Sequence, residues 1–234
     1  MKEFENQIVC GDCLEVMKDW PDGCVDLVLT DPPYGIGVDA TMHKQSNTQH
    51  GKSLAPRRVY ENTNWDSKPF DITQFQAIQW VSKEQIIFGF NHFCDVFPPS
   101  PCAIVWDKNN GSNGYADCEI AWGSFKSSVR LIKYTWHGMI QENMGNKEDR
   151  VHPTQKPLPV MEWIIKRYSN PNDLIFDPFC GSGTTCVAAK NLGRRYIGID
   201  ISEEYCQIAR DRLRAVDTGV PVKEARAGQG ALFQ

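Results

Sequence analysis

The chain has 234 residues and a formal net charge of −4, with 41% hydrophobic and 23% charged residues. This composition is typical of one globular domain of generous size, and it excludes wholesale disorder and a protein that merely coats nucleic acid, which would be basic. No run approaches the roughly 20 apolar residues of a membrane span, and the N-terminal residues lack the pattern of a signal peptide, so we expect a cytoplasmic protein.

Nine cysteines are scattered along the chain. A secreted disulfide framework is usually even-numbered and dense, so reduced thiols are expected. Cys10 and Cys13 have the C-x-x-C spacing, but no second such pair follows. We therefore expect two half-buried thiols there and no metal site.

The first half of the chain contains strand-like runs around Ile8-Val9 and over Val25–Thr30. The second run ends at Asp31-Pro32-Pro33-Tyr34, where two prolines stop any helix. Residues 35–69 are polar, and so long a loop in a compact domain is usually functional or mobile. Hydrophobic spacing then predicts a helix over 72–82 and strands over 85–90, 102–106, 119–122 and 129–136.

The second half contains a clear α/β pattern. A helix over 157–168 is followed by a strand over 173–176, a turn of small residues over 177–185, a helix over 186–192, a strand over 195–199 and a helix over 203–214. Strands alternating with helices predict a mostly parallel sheet with helices on both faces, which binds ligands at the carboxyl ends of its strands. We expect a domain over 1–216 and a flexible tail over 217–234.

Gly181-Ser182-Gly183 follows the strand that ends near Asp177. Two glycines permit a tight turn and close approach to a ligand, and Asp200, about 20 residues later, can accept the hydroxyls of a ribose. The third small residue of a dinucleotide fingerprint is missing, because Thr184 and Thr185 follow. This disfavours a dehydrogenase and favours S-adenosylmethionine, which carries a ribose and a carboxylate.

Asp31-Pro32-Pro33-Tyr34 can act on an exocyclic amine of a nucleobase. The lone pair of such an amine is delocalised into the ring, and an acceptor on each N–H bond draws it back toward nitrogen. The Asp31 carboxylate and the Pro32 carbonyl supply two such acceptors. They would stabilise positive charge that develops on the nitrogen, as the donors of an oxyanion hole stabilise negative charge. Tyr34 offers a face on which an extruded base can stack.

These motifs resemble the amino-group DNA methyltransferases, which use S-adenosylmethionine and modify adenine N6 or cytosine N4. The catalytic motif precedes the glycine motif, and this permuted order is similar to the β group of the family. The resemblance covers about residues 7–214. It implies a Rossmann-like α/β methyltransferase sheet with a small target-recognition insertion.

The resemblance also implies roles for individual residues. The catalytic residues would be Asp31, Pro32, Pro33 and Tyr34. The cofactor-binding residues would be Asp12, Asp31, Thr154, Lys156, Asp177, Phe179, Gly181, Ser182, Gly183, Thr184 and Asp200, with Thr154 and Lys156 near the carboxylate of the cofactor. Glu119 falls in a strand that resembles a structural element of the family, so we expect no catalytic role for it.

Two basic stretches without acids suit contacts to DNA phosphates. One lies in the loop over 36–66, which would close on DNA, and the other lies in the target-recognition region over 123–150. The candidate DNA-binding residues are Lys44, Lys52, Arg57, Arg58, Lys126, Arg130 and Lys133. Because this recognition region is short, we expect a short site or a homodimer.

The sequence therefore predicts transfer of a methyl group from S-adenosylmethionine to N6 of a flipped adenine in duplex DNA, in a bacterial or phage-infected cell and within a restriction-modification setting. Asp as the first motif residue more often accompanies adenine in this family. The alternatives are cytosine N4, an RNA or protein-amide substrate, and a non-catalytic DNA-binding regulator. Gln229–Phe233 has the Q-x-x-L-F form of peptides that dock on a sliding clamp, which is a further candidate partner.

Overall fold

A computed structural model describes residues 1–36, 68–111, 116–137, 140–145, 147–148 and 154–220. Strands and helices are numbered here in chain order. The strands of the described residues are β1 Gln7–Cys10, β2 Val25–Thr30, β3 Ser82–Phe88, β4 Cys102–Asp107, β5 Cys118–Gly123, β6 Arg130–Lys133, β7 Trp136–His137, β8 Ile140–Gln141, β9 Leu174–Asp177 and β10 Arg195–Asp200. The helices of at least five residues are α1 Cys13–Met17, α2 Ile72–Val81, α3 Leu158–Tyr168, α4 Thr184–Asn191 and α5 Glu203–Thr218.

The main sheet has the strand order β1-β10-β9-β2-β3-β5-β4-β6. Among these strands β5 runs antiparallel to its neighbours β3 and β4, and the other pairings are parallel. The expected Rossmann-like architecture is confirmed. The parallel pairing brings the carboxyl ends of β1, β10, β9 and β2 to one edge, which we call the catalytic edge.

Helices cover both faces of the sheet, and alternate strand residues supply each core. Leu27 and Leu29 face one core together with apolar residues of α3, α4 and α5. Val28 faces the other core with apolar residues of α1 and α2. This alternation fixes the register of β2, because a slip by one residue would exchange the two faces.

Local signals explain where two of the helices begin. Asp71 caps α2, where its side chain accepts the N–H groups of Thr73 and Gln74 and the Gln74 side chain accepts the N–H of Asp71, so three backbone donors at the start of the helix are satisfied. Ser202 caps α5 through the N–H of Tyr205. The helix ends at Gly219, whose φ of 67° suits glycine.

The structure differs from the predicted elements in three places. The short helix α1 was not predicted, because five residues carry too little periodicity. The single strand expected over 129–136 is divided, since β6 joins the main sheet and Trp136 begins the β7–β8 hairpin. Helix α5 runs to Thr218, so the expected boundary at 216 falls inside it.

Several predictions lie outside the described residues. These are the predicted loop over 36–66 from residue 37 onward, with its four basic candidates, parts of the expected recognition region, and the clamp-like segment Gln229–Phe233. Among the described helices, none is long and apolar enough to cross a membrane.

Gly183 is required by both its backbone and its packing. Its φ is 78°, and a Cβ there would lie 2.7 Å from the Cβ of Ala209 on α5. Gly183→Ala should therefore lower the free energy of unfolding by about 1–3 kcal/mol more than the same change at Gly193. Gly193 is the matched control, because its φ is 68° and a Cβ added there would meet nothing within 4 Å. Equal losses in urea denaturation would contradict the packing argument.

Candidate active site

One cleft of about 410 Å³ lies at the catalytic edge. Asp12, Asp31, Asp177 and Asp200 line it, each at or just beyond the end of a parallel strand. The cleft is also lined by Thr154, Lys156, Phe179, Gly181, Ser182 and Thr184. The sheet thus brings together motifs that are separated along the chain, as the alternating pattern predicted.

Asp31 is held by two side chains. Its Oδ1 accepts the Tyr34 hydroxyl at 2.6 Å, and its Oδ2 pairs with the Lys156 ammonium. Burial raises the pKa of Asp31 above its usual value, while the charge of Lys156 opposes that rise. Burial alone would lower the pKa of Lys156, but the adjacent carboxylates outweigh it and raise the pKa. The Lys156 side chain, 8% exposed, therefore remains an ammonium beside Asp31.

The ring of Tyr34 is fixed by its neighbours. It stacks on His92 with ring centroids 4.5 Å apart and an interplanar angle of 20°, and it meets the edge of Phe93 at 5.7 Å. Gly89, with a φ of 85°, permits this packing, because a Cβ there would lie 2.6 Å from Tyr34 Cε1. His92 therefore covers one face of the Tyr34 ring.

The two prolines differ in their surroundings. Pro32 is buried, while Pro33 lines the cleft. The Pro33 carbonyl accepts the N–H of Phe70 at 3.1 Å. This bond ties the catalytic motif to the chain just before α2.

Asp177 is buried and shared by three donors. Its carboxylate accepts the hydroxyls of Thr30 and Thr185, each at 2.6 Å, and the N–H of Phe179 at 3.1 Å. Burial raises its pKa to about 6, although the hydrogen bonds oppose that rise. Asp177 thereby joins the end of β2 to the start of α4. Its direct contact with the cofactor stays a prediction.

Asp200 and Asp12 occupy neighbouring strand ends. Asp200 accepts the N–H groups of Gly181 at 2.8 Å and Ser202 at 2.9 Å, and burial raises its pKa. Each carboxylate oxygen has a second lone pair for a ligand hydroxyl. Asp12 caps α1 by accepting the N–H of Leu14 at 2.8 Å.

Arg212 was not predicted. From α5 it donates to the carbonyl of Ser182 at 2.7 Å, to its hydroxyl at 3.1 Å and to the hydroxyl of Thr184 at 2.9 Å. It also pairs with Glu148 at 3.1 Å. In the sequence Arg212 is one charge among many on an amphipathic helix, so no local signal distinguishes it.

Glu148 connects the β7–β8 hairpin to this loop through Arg212. Beyond Arg212, it accepts the side-chain amide of Gln155 at 2.7 Å and the N–H of Leu158 at 3.0 Å. Its backbone N–H donates to Gln141 of β8 at 2.8 Å. The glycine loop, the start of α3 and the β7–β8 hairpin thus meet at one residue, Glu148.

Glu119 lies on β5, as the structural interpretation predicted, but it also reaches the site. Its carboxylate pairs with Lys108 at 2.6 Å and with Lys156 at 3.0 Å. An acid within an otherwise apolar strand was the signal that could have indicated this contact.

The three described basic candidates lie in different places. Lys133 ends β6 on the side of the catalytic edge and pairs with Asp107 at 3.5 Å. Arg130 begins β6, and Lys126 precedes it after β5, toward the opposite edge of the sheet. Of these three, only Lys133 lies at the same edge of the sheet as Asp31.

Comparison with known proteins identifies the family. The family model described as DNA methylase matches residues 105–211. The Escherichia coli (strain K12) protein YubD, a methylase by name, is 30% identical over 223 residues, which are 90% of this chain and 91% of that protein. This chain belongs to the DNA methylase family. It is a DNA methyltransferase of the amino group, whose members act on adenine N6 or cytosine N4.

Two further relatives support the assignment. This methylase is 28% identical to the type II methyltransferase M.HinfI of Haemophilus influenzae over 258 aligned positions, which cover 92% of this chain and 70% of the relative. The structure of the M1.HpyAVI–SAM complex is 28% identical, with a TM-score of 0.53 over 88% of this chain and 99% of that one. The PvuII cytosine-N4 methyltransferase, 17% identical with a TM-score of 0.56 over 88% of this chain and 85% of that one, shares the fold.

The cofactor of the methylase is S-adenosylmethionine, and the cleft suits it. Its volume is in the range of small-molecule sites. The carboxylates of Asp12 and Asp200 match the donors of an adenine and a ribose. The buried ammonium of Lys156 matches a carboxylate. The residues present therefore fit the cofactor.

The raised pKa of Asp177 predicts a pH-dependent stability. Because its pKa of about 6 exceeds that of the unfolded chain, Asp177 favours folding at acid pH and loses this contribution as pH rises through 6. Relative to Asp177→Asn, the wild-type free energy of unfolding should fall by about 2–3 kcal/mol between about pH 4 and pH 7. Urea denaturation across this range measures the difference. Parallel curves for the two proteins would contradict the assignment.

Proposed function

We propose that the methylase transfers the methyl group of S-adenosylmethionine to N6 of an adenine extruded from duplex DNA. The observation that carries this proposal is the Asp31 carboxylate, which lines the cleft and is paired with Lys156 and Tyr34. The resemblance to the family implies adenine more than cytosine, because Asp is the first residue of the motif. Extrusion is needed because the amine of a stacked base is out of reach, and it costs a few kcal/mol.

Asp31 would act as the acceptor for one N–H of the target amine. Lys156 stabilises its ionised form, and the Tyr34 hydroxyl orients Oδ1 at 2.6 Å. An acceptor fixed in advance needs no reorganisation when positive charge develops on the nitrogen. We assign the second acceptor to the Pro32 carbonyl, whose direction the two prolines restrict.

The remaining residues would hold the reactants in line. The bound cofactor supplies an electrophilic methyl group on a sulfonium. Asp200 would accept the ribose hydroxyls, and Asp12 the adenine of the cofactor. Thr154 and Lys156 would meet its carboxylate. Such positioning can account for much of the rate.

Arg212 supports the glycine loop, a role that the motifs alone did not reveal. Its three hydrogen bonds hold the carbonyl and hydroxyl of Ser182 and the hydroxyl of Thr184, at the end of the glycine loop and the start of α4. The loop therefore keeps its shape before the ligand arrives, which reduces the ordering cost of binding.

The proposal predicts which base is modified and which side chain is needed. Incubated with unmodified genomic DNA and S-adenosylmethionine, the wild-type protein should produce N6-methyladenine by nucleoside mass spectrometry. Asp31→Asn should lower the methylation rate by at least about 10²-fold, since it removes a charged acceptor. Binding of the cofactor, measured by calorimetry, should change only a few-fold.

Asp19→Asn is the matched control, because Asp19 is exposed and is not among the residues that line the cleft. It should methylate at the wild-type rate. N4-methylcytosine as the product would overturn the choice of adenine and preserve the amine chemistry. Wild-type methylation by Asp31→Asn would overturn the role of Asp31.

A further inference from the structure

Four charged side chains of alternating sign form a chain at the catalytic edge. Lys108 pairs with Glu119 Oε1 at 2.6 Å, and Glu119 Oε2 pairs with Lys156 at 3.0 Å. Lys156 in turn pairs with Asp31. One carboxylate, Glu119, thus joins two ammonium groups, and one ammonium, Lys156, joins two carboxylates.

The pairing of β4 with β5 sets the positions of Lys108 and Glu119. Glu119 stands opposite Trp106 in the β4–β5 pairing, and Lys108 follows two residues after Trp106. The ammonium of Lys108 lies 5.2 Å from the centroid of the Trp106 ring, and that of Lys156 lies 5.1 Å from the Phe88 ring. The aromatic faces favour both cations and limit where they can go.

The four side chains are largely withdrawn from water. Their exposed fractions are 17% for Lys108, 23% for Glu119, 8% for Lys156 and 19% for Asp31. Removing a charge from water costs several kcal/mol unless partners compensate for it. The alternation supplies a partner to every member, so the position of each depends on its neighbours.

Glu119 changes what Lys156 can do to Asp31. The Lys156 ammonium lies closer to Asp31 than to Glu119. The pair with Glu119 holds the ammonium from its other side and so limits where it can lie on the Asp31 carboxylate. Lys108 occupies the second oxygen of Glu119 and keeps that carboxylate in place.

We propose that Glu119, held by Lys108, is a positioning residue for methyl transfer, which fixes the ammonium of Lys156 beside Asp31 so that Asp31 meets the target amine as an oriented carboxylate. The inference rests on the proposed function, in which Asp31 is the acceptor. It gives a role to an acid that the sequence placed in a structural strand.

If Glu119 only joined β4 to β5, its loss would affect stability and would leave the plateau rate of the folded enzyme near that of the wild type. The charged and titratable groups that face Asp31 are Tyr34, Lys156, Glu119 and Asp177. The negative charge of Glu119 contributes to the raised pKa of Asp31. Glu119→Gln removes that charge and should lower this pKa.

The test measures the single-turnover rate of methylation against pH, at saturating cofactor, for the wild type and Glu119→Gln. The plateau rate of the variant should fall by about 10²-fold, because a misplaced group near the reacting atoms costs about that much. The acid limb of its profile should move to lower pH. A slower enzyme whose acid limb is also displaced is not expected from lost packing.

Lys108→Met is the matched control, because it disturbs the same chain of charges but keeps the Glu119 carboxylate. Its acid limb should not move to lower pH. Glu119→Asp keeps the charge but moves it back by the length of one methylene group. Its methylation rate should fall, and the acid limb of its pH profile should stay at the wild-type position. If Glu119→Gln fails to fold in a thermal melt, Glu119→Asp decides alone, and a wild-type rate there overturns the inference.

The outcomes separate the inference from the proposed function. An unmodified base after reaction with the wild type contradicts the proposed function itself. An active wild type together with an unchanged rate and acid limb in Glu119→Gln overturns the role of Glu119 alone.

Discussion

The ion pair between Asp31 and Lys156 joins parts of the chain that are 125 residues apart. Asp31 follows β2, and Lys156 lies just before α3, so the pair connects the catalytic motif to the segment that leads out of the recognition region. Both side chains are mostly buried. Neither charge would be stable there alone. The arrangement of the candidate site therefore depends on this contact.

Two further polar centres surround the pair and act on different elements. Asp177 connects Thr30, next to Asp31, with Thr185 in α4. Glu148 and Arg212 connect the β7–β8 hairpin with the glycine loop. Each centre involves loops or the ends of strands. Apolar packing does not fix such segments, so hydrogen bonds hold them. The glycine loop, the catalytic motif and the β7–β8 hairpin are thus linked by hydrogen bonds that are buried or partly buried, in which a missing partner is costly.

The sequence predicted the architecture well, because hydrophobic periodicity and helix caps are local signals. The mostly parallel sheet and the approach of Asp31, Asp177 and Asp200 at its edge followed from the alternation of strands and helices. Glu148 and Arg212 could not be found in this way. They pair with each other across 64 residues of the chain, and a charge that will be buried looks in the sequence like one that will be solvated.

The most direct test of the account is a double-mutant cycle on Asp31 and Lys156. Single-turnover methylation would be measured for Asp31→Asn, Lys156→Met and the double variant on the same DNA, at saturating cofactor. If the pair acts as one unit, each single change lowers the rate by about 10²-fold or more, and the double variant is no slower than the slower single variant. A double variant slowed by the product of the two separate effects would show that the residues act independently and would contradict the account.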